Sequence, residues 1–132
     1  MRGRWLIPVL TVIVAAAATA FATRAEAAAP VKTITRYCTP KKDICYGVVL
    51  KRGAAFLDVT TERHYFGWYR LCVSGGAGFW RCNVYRLRRV GWLATSSVNF
   101  ARQFPNVGSG PYSVRWSLGR RPLGPTLRFQ LS

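Results

Sequence analysis

Glu62 and His64 are the one pair of side chains in this sequence whose types and spacing match proton-transfer chemistry. In an extended segment, residues two apart point the same way. A carboxylate and an imidazole beside arginines then suit the general base and acid of a phosphodiester-cleaving enzyme, as in small secreted ribonucleases. The alternative reading of Thr61-Glu62-Arg63-His64 is a polar loop in which Glu62 balances neighbouring arginines. His64 is the single histidine, no Gly-x-Ser-x-Gly is present and the cysteines are expected to be oxidised, so Ser/His and Cys/His hydrolase arrangements have no support. Asp43 and Asp58 are too few for a calcium cage or a two-carboxylate glycosidase unless they converge. The sequence therefore assigns no catalytic residue and no cofactor, and predicts a non-enzyme.

Anion binding is better supplied. If Gly76-Ala77-Gly78 is a three-residue hairpin loop, then Gly75 faces Phe79, Ser74 faces Trp80, Val73 faces Arg81 and Cys72 faces Cys82. This register puts Tyr69, Leu71, Val73, Tyr85 and Leu87 on a core face. It puts Trp68, Arg70, Trp80, Arg86 and Arg88 on the opposite face. Guanidinium forks give bidentate contacts to phosphate, sulfate or carboxylate, and indole planes give a flat surface for a sugar or base. The competing reading is that the arginine stems merely shield exposed tryptophan rings. The doublets Lys41-Lys42, Lys51-Arg52, Arg88-Arg89 and Arg120-Arg121 are too short to read as a nucleic-acid tail, so no specific nucleic acid is expected.

Four cysteines allow three pairings. Directly opposed residues on neighbouring antiparallel strands are within disulfide reach, so the hairpin register selects Cys72–Cys82 and leaves Cys38–Cys45 to close a short loop. Cys38-x6-Cys45 and Cys72-x9-Cys82 contain neither of the close cysteine pairs usual in structural zinc sites, and no metal site is predicted.

The elements that must position these groups read as strands. In Tyr112-Ser113-Val114-Arg115-Trp116-Ser117-Leu118 apolar and polar residues alternate, and Leu127, Phe129 and Leu131 repeat the pattern around Arg128 and Gln130. Further strands are expected near residues 44 to 50, 54 to 60, 65 to 73, 79 to 88 and 92 to 101, with a weak edge strand near 32 to 37. Breaks fall at Lys51-Arg52-Gly53, at residues 74–78, at the Pro105 to Pro111 loop and at residues 119–125. The expected architecture is all-β, a single antiparallel sandwich of about seven strands.

The chain has 132 residues with 20 Lys+Arg against 4 Asp+Glu, a net charge of +16, yet it is 50% hydrophobic and 14% aromatic. That apolar mass excludes a disordered basic tail. Arg2 and Arg4, the apolar run Trp5 to Val14 and the small-x-small site Ala25-Glu26-Ala27 have the layout of a secretory signal peptide spanning 1–27. The apolar run is shorter than the roughly 20 residues that a membrane span needs. Cleavage after Ala27 leaves 105 residues at net charge +14. Residues 28–42 then form a flexible lead-in, tied down only if Cys38 is bridged, and 43–132 the disulfide-linked domain in an oxidising compartment.

The stretch from Cys45 to Phe129 resembles small secreted Ig- or fibronectin-like β-sandwich proteins of actinobacteria. The residues that carry the likeness are Tyr69-Arg70-Leu71-Cys72-Val73 with Arg81-Cys82, Phe104-Pro105, Gly110-Pro111-Tyr112-x-Val114-x-Trp116 and Leu123-Gly124-Pro125-x-Leu127-x-Phe129. The Cys…Trp…Cys arrangement of true Ig domains is missing, and Arg70 stands where a tyrosine corner would need Tyr before Cys72. The resemblance implies a fold and no activity. Charge and compartment then point to a monomeric, non-enzymatic cationic module for anionic cell-surface polymers or lipid headgroups. The alternatives are a secreted inhibitor or other protein-binding module presenting the Pro105 to Pro111 loop, and a small secreted ribonuclease-like enzyme.

Overall fold

Strand formation follows the alternation. In the computed structural model, which describes residues 31–62, 65–105 and 108–132, Tyr112, Val114 and Trp116 are buried while Arg115 is exposed, and Leu127 and Phe129 are buried while Arg128 and Gln130 are exposed. The order is β1 (Val31–Cys38), β2 (Ile44–Lys51), β3 (Ala54–Thr61), β4 (Trp68–Gly75), β5 (Trp80–Arg86), β6 (Arg88–Val90), β7 (Leu93–Asn99), a four-residue helix α1 (Phe100–Gln103), β8 (Gly110–Leu118), β9 (Arg121–Pro122) and β10 (Leu127–Leu131).

Two antiparallel sheets result, with orders β1-β2-β3-β7-β6 and β10-β8-β4-β5, the short β9 pairing with β8. Their inner faces meet in one core. Tyr46, Val48, Leu57, Val59, Ala94 and Val98 of the first sheet lie against Tyr69, Leu71, Val73, Val114, Trp116 and Phe129 of the second. Trp116 stacks on Tyr46 across the layers, with ring centroids 4.5 Å apart, and the Tyr46 hydroxyl donates to the Pro125 carbonyl at 2.6 Å. Phe100 of α1 meets Phe129 edge-on at 5.5 Å, closing the end of the core. The all-β sandwich is as expected.

Two elements differ from the sequence reading and a third agrees with it in part. The edge strand expected near 32 to 37 is present as the eight-residue β1, paired with β2 through one register shift between Thr33 and Thr35, so these residues of the expected flexible lead-in are tied down, and the condition for that is met because Cys38 is bonded to Cys45. Segment 79 to 88 is not one strand: β5 ends at Arg86, the Leu87 N–H donates to the Gly67 carbonyl at 2.9 Å, and Arg88 pairs with Thr95 in the other sheet. The 92 to 101 run ends at Asn99, whose side-chain oxygen accepts from the Arg102 N–H at 3.1 Å and starts α1. The expected leader, 1–27, lies outside the described residues.

Candidate anion-binding face

The hairpin that builds the site has the expected register. Cys72 pairs with Cys82, Val73 with Arg81 and Ser74 with Trp80 across β4 and β5, and both disulfides, Cys72–Cys82 and Cys38–Cys45, are formed. Because side chains alternate between faces, the same register places Trp68 beside Arg86 and Arg70 beside Val84 on the outer face of the second sheet. Trp68 is 59% exposed, Trp80 62% and Val84 62%, so this face is wet and partly apolar. The Arg86 guanidinium lies 5.7 Å from the centre of the Trp68 ring, within cation–π range.

Arg88 does not belong to this face. The crossing at Leu87 carries it into the first sheet, where it lines a groove of about 670 Å³ with Arg86, Arg102, Gln103 and Asn99. That groove opens because β6 covers only the beginning of β7, leaving Ser96 to Asn99 without a strand on the side away from β3 among the described residues. The Tyr85 hydroxyl at its wall donates to Gln103 at 3.3 Å and accepts from the Asn83 amide at 3.2 Å, while burial pushes its pKa up. Arg86 thus serves both the outer face and the groove.

The neighbouring strand adds residues that the hairpin alone does not reveal. β8 lies on the other side of β4, with Arg115 opposite Cys72 and Ser113 opposite Ser74. Arg115 and Trp80 share a hollow of about 150 Å³ with Ser74 and Thr126. A wider one of about 490 Å³ is lined by Trp68, Arg70, Val84 and Gly119. Arg128 extends the face on β10, opposite Ser113. The alternation around Trp116 marks Arg115 as outward, but that β8 flanks β4 is a long-range pairing with no local signal.

Charge is unevenly divided. From Tyr65 to Ser132 the chain has ten arginines and no acidic residue. The described acids all lie on the first sheet or its connections, and two are engaged. Asp58 is paired with Lys51 at 2.8 Å and accepts from Ser97. Asp43 accepts from the Thr39 hydroxyl and, at 3.1 Å, from Tyr65, the Thr39 bond being the main cause of its lowered pKa. Glu62 is exposed, and its proposed partner His64 lies outside the described residues, as do Arg63, Asn106 and Val107 of the two candidate loops. Compared with protein-family models, curated proteins and solved structures, the chain matches none.

Proposed function

We propose that this protein is a secreted, monomeric, non-enzymatic module that binds anionic cell-envelope polymers through the outer face of its second sheet. The observation that carries this reading is the face itself: Trp68, Arg70, Trp80, Arg86 and Arg115 on adjacent strands of a sheet without a carboxylate. Among the described residues these arginines form no ion pair, so an external anion is an available partner. The rigid hairpin, cross-linked by Cys72–Cys82, holds indole planes and guanidinium groups in fixed order, which lowers the ordering cost of binding an extended polyanion. Two disulfides suit an oxidising compartment.

The test is heparin affinity of the mature protein at two salt concentrations. Binding falls as salt rises, because paired arginines displace counterions. Arg70→Gln/Arg86→Gln and Arg120→Gln/Arg121→Gln each remove two charges, but the first pair also loses its aromatic neighbours. A cation–π contribution of about 0.5–1 kcal/mol predicts an additional loss of about twofold to fivefold for that pair. Equal losses would reduce the site to bulk charge. RNA turnover that disappears in His64→Ala would replace the binding reading with a nuclease.

A further inference from the structure

Among the described residues, the largest exposure of any bulky apolar side chain belongs to a residue outside the proposed face. Trp92 is 92% exposed, and its neighbours Val90 and Leu93 are 61% and 40% exposed. All three sit at the tip of the β6–β7 hairpin, where Val90 pairs with Leu93 and Gly91-Trp92 form the loop. Gly91 has φ +60°, and no other loop residue is left-handed, which is the geometry of a two-residue turn with glycine first. The loop therefore presents Trp92 at the apex of a short finger. At its base stand Arg88 and Arg89, both exposed, and Arg86 immediately before the crossing.

Strand register shows what shares this end of the molecule. Trp68 begins β4 beside Arg86, and the Gly67 carbonyl accepts from Leu87, so Trp68 lies at the foot of the finger. β8 runs antiparallel to β4 and finishes at this end, where its turn into β9 carries Arg120 and Arg121. The acids nearest the finger are Glu62, which follows Thr61 opposite Ala94, and Asp43, already held by Thr39 and Tyr65. Five arginines and two exposed tryptophans thus gather where a convex apolar tip projects.

We propose that the β6–β7 hairpin is a membrane-interface wedge: Trp92, with Val90 and Leu93, enters the boundary between headgroups and acyl chains of an anionic phospholipid surface while Arg88 and Arg89 pair with the phosphates. Tryptophan suits that depth because its ring is apolar and its N–H finds a polar partner there. Arginines at the base of an apolar finger match the layered chemistry of an anionic bilayer, phosphate outside and hydrocarbon inside. A protein groove is a poorer match for an apex of one residue on a two-residue loop. A second copy of this chain, pairing at β6, the edge strand of its sheet among the described residues, would bring Arg88 and Arg89 against the arginines of the other copy. The inference shares the premise of an anionic surface with the proposed function but uses different residues, so each can fail alone.

The experiment is co-sedimentation of the full mature protein with phosphatidylcholine vesicles, with and without phosphatidylglycerol, beside heparin binding of the same variants. The expected results are binding to the phosphatidylglycerol vesicles only, a loss of at least tenfold in partition coefficient for Trp92→Ala, and a smaller loss for Trp92→Phe. Arg88→Gln/Arg89→Gln should lose about tenfold, and the wild-type tryptophan fluorescence should shift to the blue with vesicles but not in Trp92→Ala. Heparin affinity of Trp92→Ala should equal that of the wild type. Unchanged partitioning of Trp92→Ala, or no vesicle binding by the wild type, overturns the wedge. A dimer that Trp92→Ala converts to monomer, with no vesicle binding, would assign the tip to self-association instead. Equal heparin losses for the two arginine pairs described above would sink the polymer-binding face and leave the wedge standing.

Discussion

Replacing Trp116 separates what its ring area contributes from what its polar atom costs. Trp116 is fully buried, stacked on Tyr46, and spans the two sheets, yet its indole Nε1 meets no acceptor among the described residues. A buried donor left unpaired carries a penalty of about 1–3 kcal/mol. Trp116→Ala removes the ring and leaves a cavity, at a cost of about 3–5 kcal/mol. That is a large share of the roughly 5–15 kcal/mol that holds a domain of this size together. Trp116→Phe keeps an aromatic ring for the stack on Tyr46. It loses a few ring atoms, about 1–2 kcal/mol at about 0.8 kcal/mol for each methylene-sized group, and removes the unpaired N–H. The two contributions oppose each other, so Trp116→Phe should stay within about 1 kcal/mol of wild type while Trp116→Ala approaches unfolding. Guanidinium chloride unfolding of the oxidised mature protein, followed by far-ultraviolet circular dichroism, reads both midpoints. A Trp116→Phe variant as damaged as Trp116→Ala would refute the reasoning, because it would mean that the N–H is satisfied or that the indole outline itself is indispensable.

Alkaline pH should destabilise the fold through two buried phenols. Burial pushes the pKa of Tyr46 up to about 12, and burial also raises that of Tyr69 despite its hydrogen bond with Ser96. Unfolded phenols ionise near their ordinary value of about 10 while these two stay protonated, so stability is complete below about pH 10 and declines as pH rises beyond it. Phenolate absorbance and circular dichroism should report ionisation and unfolding together, and all tyrosines titrating near 10 with native structure intact would contradict this. Each disulfide should contribute about 2–3 kcal/mol by restricting the unfolded chain, since the sequence separations of 10 and 7 close loops of similar size. Cys72→Ser/Cys82→Ser and Cys38→Ser/Cys45→Ser are therefore expected to lower the unfolding midpoint by comparable amounts, and an unchanged midpoint in either would be evidence against that bridge as a stabiliser.

The sequence alone determined whatever depends on neighbours along the chain. Alternation around Val114 and Phe129 marked strands and their buried faces because the side-chain period of a strand is two. The glycine loop at residues 76–78 set Cys72 against Cys82, since hairpin register follows from loop length, and with it the sharing of one face by Trp68, Arg70, Trp80 and Arg86. Tertiary structure alone decided where a strand changes partner. Residues 79 to 88 read as one strand because the pattern of Tyr85, Leu87 and their neighbours continues unbroken through the crossing, and nothing local says that Arg88 will pair with Thr95 instead of continuing along β4. The same holds for the packing of β8 against β4, which adds Arg115 to the face. Trp92 is the sharpest case. The sequence places it at the start of the strand expected near 92 to 101, but Gly91-Trp92 form the turn between β6 and β7 and leave it 92% exposed, because burial depends on how far the covering layer extends and the residue's own type does not decide that.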